Sequence, residues 1–189
     1  LIVRGDETLG SIPDLKGKSV GIVRSTATGV GNSNLFDTIL AQYEIDPNQV
    51  RHVAIERKAM MAAVKSHQVD ALFVVGPATG DLAFEAVGAI TKASGSAKFL
   101  PIAEAKAMAQ RSSALESTEV VRGAFGGDPP RPADPFETVG VSVRLMARSS
   151  LRDSLAADVM RRLFSERVSI ARLEKLANQF TPADKDEPV

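Results

Sequence analysis

Apolar residues in this chain come in short runs, separated by polar stretches rich in Gly and Pro, and the spacing inside the runs changes from one to the next. Leu1 to Val3 is a brief strand-like run ended by Gly5-Asp6. Ser19 to Val23 is a buried-type strand entered through a Pro13-Asp14 turn and a Lys16-Gly17-Lys18 turn. Leu35, Phe36, Ile39, Leu40 and Tyr43 recur at i, i+1, i+4, i+5 and i+8, which predicts one face of a helix. Asp46-Pro47-Asn48 stops it. Residues 50–55 form the next strand, and Ala59, Met60, Ala63 and Val64 mark the next helix. Residues 69–75 are continuously apolar after Asp70, as in a central parallel strand covered on both faces. Ala83, Ala86, Val87 and Ile90 give a third helical face, 98–102 a short strand, and 103–111 a helix.

This strand–helix alternation predicts an α/β layered sheet with right-handed crossovers. The pattern then changes. Residues 117–125 are strand-like, and 126–135, with four prolines and two glycines, read as an extended surface segment or linker. Residues 137–147 alternate as a long strand. Ser150 with Asp153 resembles a capping box ahead of a helix lined by Leu151, Leu155, Val159 and Leu163. Ile170, Leu173 and Ala177 line another helix, and 181–189 form a polar tail.

Composition narrows the function classes. The 189 residues suffice for one large domain or two small lobes, and 44% hydrophobic with 24% charged residues is ordinary for a globular chain. Lys plus Arg equals Asp plus Glu at 23 each, so no net charge steers the chain to nucleic acid or an anionic membrane. With no Trp and one Tyr, stacking platforms for bases or sugars are not evident. The absence of Cys removes disulfides, thiolate nucleophiles and Cys-based metal sites. His52 and His67 lack metal-ligand spacing, so neither a metal nor a cofactor is expected. No nucleophile, base and orienter stand in a recognisable order, so the chain is not read as an enzyme. No apolar stretch is long enough to span a bilayer. The chain begins at Leu1 in a strand-like run, and the expectation is an internal or processed piece of a longer protein.

In open α/β sheets ligands collect at the carboxyl ends of strands. Two loops fall there: Arg24 to Ser33, and Gly76 to Gly80. The first four amides of a helix have no internal partner and sit at the positive end of its dipole, so a carboxylate or phosphate can accept from them. Gly29 and Gly31 let a guest approach the backbone, Ser25, Thr26, Thr28, Asn32 and Ser33 add side-chain donors, and Arg24 offers a charge partner. Equally, Asn32 or Ser33 serves only to cap its own helix. The loop lacks the third glycine of a dinucleotide fingerprint and the Gly-Lys-Ser/Thr of a P-loop, which disfavours nucleotides. His52 reads as a partly buried structural residue and His67 as a surface residue at a helix end. Asp70 reads as a turn or cap residue, Met60 and Met61 as core, and Arg161, Arg162, Arg167 and Arg172 as a solvated strip.

Residues 14–23 (DLKGKSVGIV), 64–82 (VKSHQVDALFVVGPATGDL) and 136–151 (FETVGVSVRLMARSSL) resemble segments of type II periplasmic solute-binding proteins. The whole run is most similar to the TAXI subgroup of TRAP-transporter solute receptors, chiefly through 122–151 and 163–188. The resemblance implies a three-layer α/β lobe with a parallel or mixed sheet. It sets 17–136 as a complete second lobe, with 1–16 and 137–189 as fragments of the first. By the same likeness the anion loop maps to Gly29, Val30, Gly31 and Asn32, the second loop to Gly76, Pro77 and Ala78, and the crossover strand brings Thr138 and Val139 near a hinge. Val30 and Asn32 stand where the family usually has hydroxyl residues. The implied protein is a non-enzymatic, extracytoplasmic receptor for a small carboxylate or amino acid. It delivers cargo to membrane transporter subunits and touches the membrane only through parts outside this chain. A ligand-sensing domain of a membrane-anchored signalling protein is the alternative. Apolar surface that would normally meet the other lobe makes a dimer an expectation as well.

Overall fold

The structure, a computed structural model, describes residues 1–24, 31–77, 80–141, 145–173, 177 and 180–182. The chain divides into two units, Leu1–Ser142 and Val143–Val189. The first unit is built on a five-stranded mixed sheet and a two-stranded sheet. The strands are β1 (Ile2–Arg4), β2 (Ser19–Arg24), β3 (Arg51–Glu56), β4 (Ala71–Phe73) and β5 (Ala97–Phe99), then β6 (Leu115–Val120) and β7 (Phe136–Val141). Its helices are α1 (Gly31–Gln42), α2 (Met60–Lys65), α3 (Asp81–Ser94) and α4 (Ala105–Arg111). The second unit holds α5 (Asp153–Ser165) and α6 (Arg167–Ala171).

The large sheet has the order β3-β2-β4-β1-β5. β2 runs parallel to both β3 and β4, whereas β1 is antiparallel to β4 and β5. Alternate residues of each strand feed opposite cores. Val20, Ile22, Ala71 and Phe73 pack with Phe36, Ile39 and Leu40 of α1 and Met108 of α4. Val23 and Leu72 pack with Met60 and Val64 of α2 and with Ala86, Val87 and Ile90 of α3. The result is the expected three-layer α/β arrangement. Gly21 is dictated by this packing, because a Cβ there would stand 2.9 Å from Leu72 and 3.0 Å from Ile55.

Other details differ from the periodicity reading or add to it. β1 is hydrogen-bonded between β4 and β5, where its buried Ile2 and Val3 cover opposite faces. β7 pairs along its length with β6 within the first unit. The 117–125 strand ends at Val120; of the 137–147 strand the structure describes Phe136–Val141 as β7 and leaves 145–147 outside any strand, while 142–144 lie outside the described residues. Between them the chain folds back on itself rather than running as a linker. The Phe125 amide donates to the Arg131 carbonyl at 2.7 Å and the Gly123 amide to that of Pro132 at 3.0 Å. Phe125, only 7% exposed, stacks on Phe99, which anchors that loop. α5 begins at Asp153 with Arg152 at its cap position, not with a Ser150 box, which puts an acidic residue at the positive end of the helix. Among the described residues no helix is long and apolar enough to cross a membrane.

Candidate functional site

β2 and β4 are adjacent and parallel, with Ile22 opposite Phe73, so their carboxyl ends lie side by side. From β2 the chain departs to α1 on one face of the sheet, and from β4 to α3 on the other. Two neighbouring strands that send their helices to opposite faces must part at that edge, and the crevice between their loops is the topological switch point of an open α/β sheet. β3 ends at the same edge, its Glu56 in register with Arg24.

Arg24 ends β2 with its side chain exposed, and among the described residues it makes no ion pair. Gly31 opens α1, and Ser33 is half-buried in its first turn. Gly76 and Pro77 follow β4, and the Pro77 carbonyl accepts from the Gly80 amide at 2.9 Å, a turn that leads into α3. The switch point therefore gathers Arg24, the first turn of α1, Gly76 and Pro77 at one edge. Ser25, Thr26, Thr28, Gly29, Val30 and Ala78 lie outside the described residues. Thr138 sits elsewhere in the topology, on β7 opposite Thr118 of β6. Among the described residues no hydrogen bond links it to the edge of the large sheet.

Asn32 takes a role that spacing did not indicate. It is 2% exposed, and its side-chain amide donates to the Val23 carbonyl at 2.9 Å. The donor expected either to meet a guest or to cap the helix instead pins the first turn of α1 to the end of β2. It thereby fixes the ends of the loop between them.

Charge around this edge is partly spent within the protein. Glu56 pairs with Lys58 at 3.2 Å. Arg57 reaches across to α3, donating to both oxygens of Glu85 at 2.7 and 2.6 Å. Those hydrogen bonds hold the Glu85 carboxyl below the usual carboxylate range and raise Arg57. Among the described residues no group of three His, Cys, Asp or Glu side chains could hold a metal ion.

The remaining polar residues serve the scaffold. His52 lies with Nδ1 3.7 Å from Asp37 Oδ1 and its ring edge-on to Phe36, in a hollow of about 560 Å³ at the amino end of β3. Sequence reasoning missed Arg4, which is 2% exposed. Its guanidinium donates to the Val64 carbonyl at 2.7 Å, to both oxygens of Asp6, and approaches His67 Nε2 at 3.3 Å. Arg4 thus brings a guanidinium to a carbonyl in the last turn of α2. The one signal for it was an arginine inside an apolar run, two residues before an aspartate.

A search of the curated proteins finds no match. The model of the NMT1-like family matches residues 1–187, almost the whole chain. That coverage, on a mixed α/β sheet with a crevice at its switch point, places the chain in the NMT1-like family, a periplasmic-binding-protein-like family whose members are generally non-enzymatic, typically extracytoplasmic and take small-molecule ligands.

Proposed function

We propose that this chain is the ligand-facing part of a receptor that captures a small organic anion, a carboxylate or an amino acid, for a TRAP-type transporter of the TAXI kind. The observation that supports this reading is the pairing of β2 with β4. It sets the amino ends of α1 and α3 around one crevice, with the exposed Arg24 at its lip. Unpaired amides of a long helix favour an anion, and a guanidinium accepts a carboxylate in a two-pronged fit. Arg24, Ser25, Thr26, Thr28, Gly29, Val30, Gly31 and Ser33 hold the acid group in this proposal, and Gly76, Pro77 and Ala78 close on the remainder of the ligand. Asn32 acts as a positioning residue through Val23. No bond is made or broken; the receptor works extracytoplasmically and hands its cargo to membrane subunits.

Thermal denaturation against a panel of carboxylates, amino acids and sugars tests the proposal. An upward shift in Tm with one acid, lost in Arg24→Ala, is expected. A shift with sugars and none with any acid overturns it. Mass action sets the scale: ligand at a hundredfold excess over Kd stabilises by about 2.7 kcal/mol.

A further inference from the structure

β3 closes one side of the large sheet. Among the described residues it pairs only with β2, and its other edge carries no strand. The Arg51 amide donates to the Lys18 carbonyl at 2.9 Å, so Arg51 faces β2. Backbone groups alternate sides along a strand, so Val53 and Ile55 also face β2, while His52, Ala54 and Glu56 point their amides outward. Ala54, in the middle of that outward row, is exposed. Sheet edges are ordinarily guarded by shortness, by lysine, by proline or by a bulge. The opposite edge follows this rule: β5 has three residues, with the exposed Lys98 at its centre. β3 has six residues, pairs with β2 without a bulge, and holds no lysine, proline or glycine.

We infer that this edge joins two copies of the chain, through antiparallel pairing of β3 with β3 of the second copy about a two-fold axis at Ala54. The register follows from the backbone. Residues directly opposite lie on one face of a sheet, so a strand meets its own copy only with residues of like parity opposed. Centring the pair on Ala54 opposes His52 to Glu56 and Val53 to Ile55, and brings the whole outward row into the ladder. Centring it on Val53 instead sets Glu56 against Val50, whose amide already returns to the Pro47 carbonyl. Centring it on Ile55 carries His52 past the end of β3. The side chains suit the Ala54 register. Val53 and Ile55 form an apolar pair on the α2–α3 face, an acid meets the imidazole on the α1 face, and the smallest side chain of the strand sits on the axis. No like charges oppose each other between 52 and 56. Lys58 holds only Oε2 of Glu56, at 3.2 Å, and both groups are exposed, so that pair yields at little cost. Beyond Glu56 the chain leaves the strand and Arg57 turns to Glu85, which ends the ladder. A foreign extended segment offers the same main-chain groups without this match of side chains, so a closed pair of identical copies is the better fit. The axis sends the two switch-point crevices to opposite ends of the joined sheet, and the inference is independent of what they bind.

Sedimentation equilibrium of the full chain from micromolar to millimolar concentration should show a reversible monomer–dimer equilibrium, because a contact made along one strand is small. Amide hydrogen exchange followed over the same range should slow at His52, Ala54 and Glu56 and stay unchanged at Val53 and Ile55, which β2 already holds. Ala54→Pro removes an outward amide and no bond to β2, and should weaken the dimer at least about tenfold. Ala54→Lys, at the same exposed position, sets two ammonium groups across the axis and should do the same with the backbone intact. The chain has no cysteine, so Ala54→Cys reports the axis directly. A short bismaleimide should join it to its copy, and should leave Lys98→Cys on β5 unjoined. The inference is overturned by a chain that stays monomeric at millimolar concentration, by a dimer indifferent to Ala54→Lys, by exchange that slows at other strands in place of β3, or by crosslinking through Lys98→Cys in place of Ala54→Cys.

Discussion

Ser19 and Asp70 hold each other at the amino ends of β2 and β4. The Ser19 amide donates to the Asp70 carboxylate at 2.8 Å, and the Asp70 amide donates to the Ser19 carbonyl, also at 2.8 Å. The Arg4 amide donates to the Asp70 carbonyl as well, at 3.3 Å, so one residue ties three neighbouring strands. Removing the carboxylate leaves the Ser19 amide without its acceptor, at a cost of about 1–3 kcal/mol. Asp70→Ala should therefore lower stability by that amount in urea denaturation, while Asp70→Asn, which keeps an acceptor oxygen, should cost less. These residues stand at the edge of the sheet opposite the crevice, so ligand affinity of the folded variant should be unchanged.

Asn32 and Val23 do for the carboxyl end of β2 what Asp70 does for its amino end. Asn32→Ala strips a hydrogen bond from a buried carbonyl, and Asn32→Asp sets a carboxylate against it. We expect a loss of about 1–3 kcal/mol for Ala and a larger one for Asp. If Asn32 positions the anion loop, the ligand-induced rise in Tm should also shrink in the Ala variant. A full rise on a destabilised protein would show that the loop holds its shape without it.

Elements whose burial alone decides their form were legible in the sequence. Phe36, Ile39 and Leu40, and likewise Ala83, Ala86, Val87 and Ile90, repeat with helical spacing and are buried as that spacing requires. Elements decided by distant partners were not. The β6–β7 register depends on residues about twenty apart, and the 126–135 stretch is shaped by hydrogen bonds back to Gly123 and Phe125. Met61 was expected in the core and lies outward, because a single methionine beside Met60 fits either face of α2. At the candidate site, a polar residue opening a helix reads the same whether its partner is a guest or the preceding strand. Only the 2.9 Å contact to Val23 tells which partner Asn32 has.

Two helices end on residues in the left-handed region that are not glycine. Glu44 has φ +54° and the following Ile45 amide returns to the Leu40 carbonyl; His67 has φ +56° and the Gln68 amide returns to the Ala63 carbonyl. Both are helix ends where glycine is the unstrained choice. Glu44→Gly should raise stability by about 0.5–1 kcal/mol, the relief of strain outweighing the added freedom of the unfolded chain. His67→Gly should gain less, since it gives up the contact with Arg4. A lower denaturation midpoint for Glu44→Gly would show that its backbone is not strained.

Stability should fall at both ends of the pH scale, for different residues. Arg4 holds the Asp6 carboxyl below the usual carboxylate range through its hydrogen bonds, and the Gly10 amide, followed by Ser11, does the same for Asp14. A depressed carboxylate stabilises the fold fully above its unfolded value of about 4, and that contribution is lost as pH falls through the folded value. Tyr43 shifts the other way: burial, then its hydrogen bond with Glu104, pushes the phenol up to about 12. The fold therefore favours the protonated phenol. The folded state binds more protons than the unfolded state between about 10 and 12, and stability drops as pH rises through that window. Urea denaturation from pH 3 to pH 12 should show Asp6→Asn flattening the acid limb and Tyr43→Phe flattening the alkaline limb, each leaving the other unchanged. An alkaline limb as steep in Tyr43→Phe as in the parent protein would assign that loss to the lysines instead.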